Sequence, residues 1–246
     1  MLEIGKKIIH LSTVDSTNNY AANLLSEGKT EHGTVILADE QTHGRGQRMT
    51  QWQSEAGMNL TASLILINPG VKLDQQFRIT MFISLVLKNF LEKYGLKASV
   101  KWPNDIYIWD KKICGVLIEN SVRGGVIGNA VIGIGLNVNQ IVFEGLNATS
   151  IKTELKQHFV INEIVLALIT AFNQNLPLLD DQEKLKSLYQ DALYLRNVTH
   201  IFYDQNDLPF KGKIVGVNES GRLQIDCGDL YRSFDLKEVR FKQNAS

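Results

Sequence analysis

Cysteine is scarce in this sequence, and its placement argues against several classes of protein. Only two cysteines, Cys114 and Cys227, occur among 246 residues, and each lies in an apolar, alternating run. Neither a Cys-x-x-Cys pair nor a Cys/His spacing typical of a zinc site accompanies them. We therefore expect both cysteines to be small apolar core residues in a reducing compartment.

An excess of charge and a long apolar run are also missing. Lys plus Arg and Asp plus Glu both total 26, so no strong field for nucleic acid or anionic lipid follows, although a basic pocket is not excluded. No apolar run approaches the ~20 residues that span a bilayer. Residues 1–11 lack the apolar stretch and cleavage site of a signal peptide. These absences predict a cytoplasmic protein that binds neither DNA nor membrane.

Strand and helix patterns alternate along the chain, which predicts an α/β or α+β fold. Alternating polarity at residues 58–66 predicts a half-buried strand with its polar side chains exposed. Asp74 is expected to cap a long helix that ends at Gly95. Further strands are predicted at residues 8–14, 34–38, 99–102, 106–108, 113–119 and 130–139, and further helices at 15–28, 161–176 and 183–192.

The pattern of the sequence changes near residue 197. From there, short segments typical of β-strands follow one another. Asn218-Glu219-Ser220-Gly221 is a good turn between two of these runs. About fifty residues is a length at which a small domain can just fold. We therefore predict two domains, residues 1–195 and residues 196–246, of which the second is a small β-barrel.

Residues 41–53 have few apolar side chains and contain two glycines, so they are predicted to form a loop. In Gly44-Arg45-Gly46 the glycines let the backbone approach a ligand, and Arg45 and Arg48 can neutralise an anion. A solvated mobile loop explains these residues about equally well. The segment is neither a P-loop nor a dinucleotide fingerprint, and His43 has no Ser or Cys partner in motif spacing.

Lys101-Trp102-Pro103-Asn104-Asp105 places polar side chains at the end of a strand, where open sheets bind ligands. The proline turns the chain out of the strand, and a hairpin returns through Lys111 and Lys112. Neighbouring residues of a strand point to opposite sides, so at most one lysine faces a site beside Asp105, where Gly115 allows close approach. An ordinary hairpin with solvated lysines is the alternative.

Residues 131–139 have one apolar face, whereas Gly133, Gly135, Asn137 and Asn139 share the other. Such a face has little to pack, so it leaves room for a flat ligand and offers amide hydrogen bonds to it. A solvent-facing edge with a bulge is the alternative.

Asp15-Ser16-Thr17-Asn18 precedes a predicted helix and consists of small polar residues. Capping of the helix N-terminus accounts for such residues without any ligand. Hydroxyl groups and the free N–H groups of a helix N-terminus also bind polar ligand groups. The local sequence leaves both interpretations open.

Taken together and in this order, the segments resemble those of the biotin–protein ligases. The matching segments are Asp15-Ser16-Thr17-Asn18, Gly44-Arg45-Gly46 with Trp52, Lys101-Trp102-Pro103-Asn104-Asp105, Lys112-Ile113-Cys114-Gly115-Val116-Leu117-Ile118-Glu119, Gly133-Ile134-Gly135-Leu136-Asn137-Val138-Asn139 and Gly216-Val217-Asn218-Glu219-Ser220-Gly221-Arg222-Leu223. Lys-Trp-Pro-Asn-Asp with its following Lys-x-x-Gly is quite specific, the others are individually weak, and the match covers nearly the whole chain. The resemblance implies an α+β fold: a mixed β-sheet flanked by helices, like the catalytic core of class II aminoacyl-tRNA synthetases, with a C-terminal SH3-like β-barrel.

The resemblance also implies a two-step reaction that uses biotin, ATP and Mg²⁺. The biotin carboxylate attacks the α-phosphate of ATP and gives biotinyl-5′-adenylate and pyrophosphate. A lysine of the biotin carboxyl carrier domain of a biotin-dependent carboxylase then attacks the mixed anhydride. Because the first step joins two anions, cations must neutralise charge at phosphorus, and a closing loop must keep the adenylate from water.

The resemblance assigns roles by position. Catalytic roles are implied for Lys112, Arg45 and Asp105. Contacts with biotin are implied for Ser16, Thr17, Asn18, Gln41, Arg45, Gly46, Gln47, Lys112 and Gly115. Contacts with the nucleotide are implied for Arg45, Arg48, Trp52, Asn104, Lys112 and Asn137. The metal ligands stay unassigned.

Two positions depart from the family pattern. Gln47 follows Gly-Arg-Gly where many members have a further Arg, and Met49 stands where a Gly is common. Fewer charges and a stiffer backbone are expected to weaken retention of the adenylate unless Arg48 compensates. About fourteen residues precede Asp15, so we expect no DNA-binding helix-turn-helix and predict a ligase, monomeric or homodimeric, rather than a repressor.

Two alternatives stay open. A lipoate or octanoyl transferase shares the core fold and also modifies a carrier-domain lysine, but the Lys-Trp-Pro-Asn-Asp run and the C-terminal barrel favour biotin. A non-catalytic biotin or nucleotide sensor is a different class. Lys112, Arg45 and Asp105 together argue against it, because binding alone does not require all three.

Overall fold

A seven-stranded mixed sheet forms the larger part of the protein. The computed structural model describes residues 3–47 and 50–242. The strands are β1 (Ile8–Val14), β2 (Val35–Gln41), β3 (Leu60–Ile67), β4 (Ala98–Lys101), β5 (Asp105–Ile108), β6 (Lys111–Arg123) and β7 (Val126–Leu136). Their order is β1-β2-β3-β7-β6-β5-β4. Only β1 and β2 are parallel, because a helix connects them; all other neighbours are antiparallel.

Helices lie on both faces of this sheet. They are α1 (Thr17–Ser26), α2 (Phe77–Lys93), α3 (Ile151–Leu155), α4 (Ile161–Asn175) and α5 (Gln182–Asp191). Along β2, Val35 and Leu37 point into the large core with α2 and α4, whereas Ile36 points to α1. The predicted mixed sheet flanked by helices is therefore confirmed. None of the helices in the described ranges is long and apolar enough to cross a bilayer.

The prediction that β3 is half-buried is wrong. β3 lies between β2 and β7, and all its residues except Ile67 are buried. On the polar face, next to α1, Thr61 Oγ1 donates to the Ala38 carbonyl and Ser63 Oγ donates to Asn18 Oδ1 at 2.6 Å. Both faces of β3 are therefore buried. The apolar side chains pack in the core, and the polar side chains contact other polar groups of the protein instead of water.

The predicted cap of α2 is also misplaced. Asp74 lies in a 3-10 turn at Leu73–Gln75, and α2 begins at Phe77 after Gln76, whose side chain makes no capping hydrogen bond. The C-terminal end agrees with the prediction. Gly95 follows the helix with a φ of 81°, in the left-handed region that glycine adopts at helix ends.

The hairpin of β5 and β6 is present, and β7 ends earlier than predicted. Ile106 pairs with Cys114 across the hairpin, and β6 then pairs with β7 as far as Arg123. Because β7 ends at Leu136, Asn139 lies beyond the strand. Its amide brackets the backbone of Phe159 with hydrogen bonds of 2.8 and 3.0 Å, so it fastens the chain before α4.

The prediction that the cysteines are apolar core residues is confirmed for Cys114, whereas Cys227 is only partly buried against the core; the reducing compartment stays a prediction. Cys114 and Cys227 are free, and Cys114 is buried in the core. Burial raises the pKa of both thiols, which makes them poor nucleophiles at neutral pH.

A second, antiparallel sheet forms the C-terminal part of the chain. Its strands are β8 (Thr199–Asp204), β9 (Pro209–Val217), β10 (Leu223–Asp226), β11 (Tyr231–Phe234) and β12 (Val239–Phe241). Among the described residues the order β11-β10-β9-β8-β12 does not close, so the predicted barrel is found as an open five-stranded sheet. Its buried Phe202 belongs to the main core, and Trp102 Nε1 donates to the Gly221 carbonyl at 2.8 Å. The domain boundary between residues 195 and 196 stays a prediction.

Candidate active site

A cavity of about 270 Å³ opens on the face of the main sheet that carries α1. Its walls come from the N-terminus of α1, the loop after β2, the β5–β6 hairpin and β7. The volume lies just below the range of about 300–1,000 Å³ that is typical of small-molecule pockets. The predicted site residues that line it are Ser16, Thr17, Asn18, Gln41, Arg45, Gly46, Gln47, Trp52, Asp105, Lys112 and Gly115.

One end of the cavity is a network of hydroxyl and amide groups. Gln41 Oε1 accepts from the backbone N–H of Thr17 at 2.8 Å and from its hydroxyl at 3.0 Å. The fully buried Ser63 Oγ lies 2.8 Å from Thr17 Oγ1 and 2.6 Å from Asn18 Oδ1. Because a backbone N–H faces the carbonyl of Gln41, the NH₂ group of Gln41 points the other way, towards Gly44. The orientation of the Gln41 amide is thus fixed.

The interpretation of the residues before α1 as helix caps is wrong. Ser16 occupies the N-cap position of α1, but its side chain makes no capping hydrogen bond. The N–H of Thr17 is satisfied by Gln41 on the neighbouring strand instead. Asp15 accepts a hydrogen bond from Asn19, which lowers the pKa of the Asp15 carboxyl group. The helix N-terminus therefore uses a strand residue as its partner, and Ser16 lines the cavity.

Glu119 connects the amide network to Arg45. Its Oε2 accepts from Asn18 Nδ2 at 2.7 Å and forms an ion pair with Arg45 Nη2. Sequence reasoning assigned no role to Glu119 or to Ser63. A usable signal was present for Glu119, because it shares a strand face with Gly115 at a spacing of four residues.

Lys112 and Asp105 form the second ion pair of the cavity. Lys112 Nζ lies 2.8 Å from Asp105 Oδ1. The backbone of Lys112 is also held, since its N–H donates to the Asn147 carbonyl at 3.1 Å and its carbonyl accepts from Thr149 N–H at 2.9 Å. Lys111 is exposed and does not line the cavity. Only one of the two adjacent lysines faces the site, as strand alternation predicts.

The glycines of β6 and β7 form a floor on which flat groups lie. A Cβ at Gly135 would overlap the indole of Trp52, and one at Gly115 would lie 2.9 Å from Trp52 Cζ3. A Cβ at Gly133 would lie 2.6 Å from Asn18 Oδ1. Side chains of the protein lie on this floor, and the binding of a flat ligand there stays a prediction. Trp52 Nε1 is buried without a hydrogen-bond partner among the described residues.

Gly44 and Gly46 form contacts within their own loop. Trp52 N–H donates to the Gly44 carbonyl at 2.9 Å, and Gly46 N–H donates to the Thr50 carbonyl at 2.7 Å. A Cβ at Gly46 would lie 2.6 Å from Thr50 Oγ1. The absence of side chains lets two parts of the loop approach each other, and a backbone contact of Gly46 with biotin stays a prediction.

Three predicted amide side chains bond to the protein. Gln47 lines the cavity, and its Nε2 donates to Asn104 Oδ1 at 2.8 Å. Asn104 is buried outside the lining and donates to the Val116 carbonyl at 3.3 Å. Asn137 is also buried outside the lining and donates to the Thr149 carbonyl at 3.0 Å. The structure does not bring Asn104 and Asn137 into the cavity wall, and their contacts with a nucleotide stay predictions.

Two positions of the loop lie outside the described residues. They are Arg48, predicted to contact the nucleotide, and Met49, one of the two departures from the family pattern. Their roles stay predictions.

Lys101, the first residue of the most specific motif, connects the two sheets. Its Nζ lies 3.1 Å from Tyr107 Oη and 5.1 Å from the ring centroid of Phe241 in β12. Burial lowers the pKa of the Lys101 ammonium group, and the nearby Asp105 carboxylate opposes that shift. Lys101 thus supports the strand that ends at the site and does not line the cavity.

A protein ligand for Mg²⁺ would be a carboxylate that lines the cavity. Within the described ranges no group of three His, Cys, Asp or Glu side chains is placed to hold a metal. Mg²⁺ in nucleotide sites usually keeps several waters and uses one or two carboxylates together with substrate phosphates. Asp105, the carboxylate in the cavity lining, fits that requirement.

Comparison with known proteins places the chain in a family. The model of the biotin/lipoate A/B protein ligase family matches residues 11–137, which are 127 of the 246 residues, more than half of the chain. This range contains all the predicted site residues.

Curated relatives match slightly more than half of the chain. The bifunctional ligase/repressor BirA of Bacillus subtilis (strain 168) is 36% identical over 138 residues, which are 56% of this chain and 42% of that protein. The biotin–[acetyl-CoA-carboxylase] ligase of Paracoccus denitrificans is 34% identical over 134 residues, 52% of this chain and 53% of that protein. The chain spans about two fifths of the length of the BirA proteins that it matches.

A solved structure extends the similarity through the second sheet. Biotin protein ligase from Aquifex aeolicus, in complex with biotin and ATP, superposes with a TM-score of 0.80 at 26% identity, over 98% of this chain and 100% of that chain. Both the motif-bearing sheet and the C-terminal sheet therefore have counterparts. The chain belongs to the biotin/lipoate A/B protein ligase family.

Proposed function

We propose that this protein is an ATP-dependent biotin–protein ligase, which forms biotinyl-5′-adenylate and transfers biotin to a lysine of a biotin carboxyl carrier domain. One observation carries the proposal. A single cavity is lined both by hydroxyl and amide groups and by two cations, Arg45 and Lys112, each paired with a carboxylate. The first suits a polar ring, and the second suits a carboxylate and a phosphate.

The polar end favours biotin over lipoate. The ureido ring of biotin carries two N–H donors and a carbonyl, whereas the dithiolane ring of lipoate carries no comparable groups. Ser16, Thr17 and Gln41 line the cavity with hydroxyl and amide groups, and two hydrogen bonds from Thr17 fix the orientation of the Gln41 amide. A ring that carries N–H donors and a carbonyl can hydrogen-bond to such groups, whereas a dithiolane ring cannot.

The cations suit the first chemical step. The biotin carboxylate oxygen forms a bond to the α-phosphorus while the bond from phosphorus to the pyrophosphate oxygen breaks. Lys112 and Arg45 neutralise charge on the reacting groups, and Asp105 fixes Lys112 from 2.8 Å away. Mg²⁺, when bound with ATP, adds positive charge at the phosphates. Positioning and electrostatics account for the step, and no covalent enzyme intermediate is needed.

In the second step, the neutral amine of the carrier lysine attacks the carbonyl carbon of the anhydride. AMP leaves, and the amine loses a proton as the amide forms. Trp52 lies over Gly115 and Gly135, and its indole shields that part of the cavity from water. The similarity to a biotin protein ligase solved with biotin and ATP supports both substrates. The cytoplasmic location and the monomeric or homodimeric state stay predictions.

Transfer of labelled biotin tests the proposal. Purified protein, ATP, Mg²⁺ and labelled biotin are mixed with a biotin carboxyl carrier domain or with the same domain carrying Arg in place of the acceptor Lys. We expect label on the first domain only. Transfer of labelled lipoate without biotin would overturn the substrate, and transfer of neither would favour a binding protein.

A further inference from the structure

We propose that Glu119 is a positioning residue for this reaction, which holds Arg45 and Asn18 at once and so joins Arg45 to the network of hydroxyl and amide groups. The inference rests on the proposed function. Glu119 lies on β6 opposite Val131 of β7, on the face of the sheet that carries α1. Its Oε2 bonds both to Arg45 Nη2 and to Asn18 Nδ2.

The carboxylate sets the orientation of the amide beside it. An ionised carboxylate only accepts hydrogen bonds, so the NH₂ group of Asn18 must face Glu119 and its carbonyl must face Ser63. Asn18 and Ser63 are 3% and 0% exposed, so neither has water as an alternative partner. The orientation of Asn18 is therefore fixed by Glu119 on one side and Ser63 on the other.

The network then continues to the polar end of the cavity. Ser63 lies 2.8 Å from Thr17 Oγ1, and Thr17 bonds to Gln41. Asn18 also lies directly on Gly133 of the floor. Glu119 thus ends a continuous chain of polar contacts that runs from the predicted ring-binding end of the cavity to Arg45.

Arg45 lies in a loop, where no strand ladder places its side chain. Among the described residues its backbone forms an isolated bridge to Gln51, between the hydrogen-bonded glycines Gly44 and Gly46. A guanidinium group has five N–H donors, so binding to Glu119 leaves donors for a ligand anion. A pre-placed cation costs little reorganisation when charge develops, which is how electrostatic catalysis gains rate.

Exposure alone predicts a weak interaction. The side chains of Arg45 and Glu119 are 41% and 40% exposed, and ion pairs of this kind contribute little to stability. We therefore expect the effect of Glu119 in kinetics and not in thermal unfolding. This separates a positioning role from a structural one.

The test is biotin-dependent ATP–pyrophosphate exchange by Glu119→Gln, Glu119→Asp and the control Glu40→Gln. Glu40 is an exposed carboxylate at the end of β2, outside the cavity lining. We expect Glu119→Gln to lower kcat roughly tenfold with unchanged Tm, because small displacements of a positioned group cost that much or more. Glu119→Asp should recover most of the rate, and Glu40→Gln should stay within about twofold of wild type. Wild-type kinetics in Glu119→Gln would overturn the proposal.

A double-mutant cycle with Arg45→Ala shows whether Glu119 acts through Arg45. If it does, Glu119→Gln has little further effect on kcat in the Arg45→Ala background. Equal losses in both backgrounds would overturn the role assigned to Glu119.

Limited trypsin digestion tests the contact without any activity. Glu119→Gln should speed cleavage of the Arg45–Gly46 bond, measured by fragment mass, whereas Glu40→Gln should not. An unchanged cleavage rate in Glu119→Gln would contradict the tether. Absence of exchange in the wild-type protein would refute the proposed function, and the digestion would still decide whether Glu119 holds Arg45.

Discussion

The two cations of the cavity are held in different ways. Lys112 lies near the start of β6, where pairing with β5 and hydrogen bonds to Asn147 and Thr149 fix its backbone. Arg45 lies in a glycine-containing loop, and its side chain is paired with Glu119. In a strand, the position of a side chain is set by backbone hydrogen bonds, which form with almost any residue type. In a loop, the position of a side chain depends on contacts with particular neighbouring side chains. Substitutions near Lys112 should therefore act locally, and those near Arg45 should act through its partners.

Removal of the strand-held cation should have the largest effect. Lys112→Ala leaves Asp105 without its 2.8 Å partner and removes positive charge from the reacting groups. We expect kcat for adenylation to fall by about 10²–10³-fold, the scale found when one electrostatic group is removed from an active site. Biotin-dependent ATP–pyrophosphate exchange measures this rate. Lys111→Ala is the matched control, and a near-normal rate in Lys112→Ala would remove this residue from the mechanism.

Replacement of Arg45, the cation in the loop, should have a smaller effect, and a lysine at this position should not restore the full rate. Arg45→Lys keeps the charge, but an ammonium group does not reproduce the planar fork of N–H donors that a guanidinium offers to Glu119 and a ligand. We expect kcat for adenylation to fall by roughly tenfold in the same exchange assay. Full activity in Arg45→Lys would show that charge is sufficient and that the loop needs no defined geometry.

Trp52 is where the loop and the strands meet, and displacing it should weaken substrate binding. In Gly135→Ala the new methyl group overlaps the indole of Trp52, so the indole must move. We expect about tenfold weaker binding of biotin, about 1.4 kcal/mol, and a shifted tryptophan emission. Titration calorimetry and fluorescence measure these. Gly28→Ala is unsuitable as a control because φ at Gly28 is 65°, whereas Gly128→Ala has neighbours no closer than 3.6 Å and should bind biotin normally.

The smallest expected effect concerns Gln47. Its amide bonds to Asn104 at 2.8 Å, and a neutral hydrogen bond contributes about 0.5–1.5 kcal/mol. We expect Gln47→Ala to release adenylate about threefold faster, measured as free biotinyl-5′-adenylate in the absence of carrier domain. Gln47→Arg, which restores the residue common in the family pattern, should slow the release. Equal release by all three proteins would show that this position does not retain the intermediate.

Sequence patterns located the site well but described its contacts poorly. Strand alternation correctly separated Lys112 from Lys111, because a two-residue period needs only local geometry. The same two-residue period led to the wrong prediction that β3 is half-buried. The period shows that the two faces of a strand differ in polarity, but it does not show whether solvent or protein covers each face. Asn104 and Asn137 were expected at a nucleotide, which stays a prediction, and in the structure their amides donate to the carbonyls of Val116 and Thr149. Short polar side chains bond equally well to ligands and to backbone, and sequence does not distinguish the two.

The sequence by itself determined the family, the succession of strands and helices along the chain and most residues of the cavity wall. These follow from motifs and periodicities that neighbouring residues carry. Only the tertiary structure decided which groups pair: Glu119 with Arg45 and Asn18, Ser63 with Thr17, and Trp52 with the glycine floor. Each of these contacts joins residues from different elements, and their distance depends on how the sheet and α1 pack. No local pattern encodes that packing, so the partners of Arg45 became visible only in the folded protein.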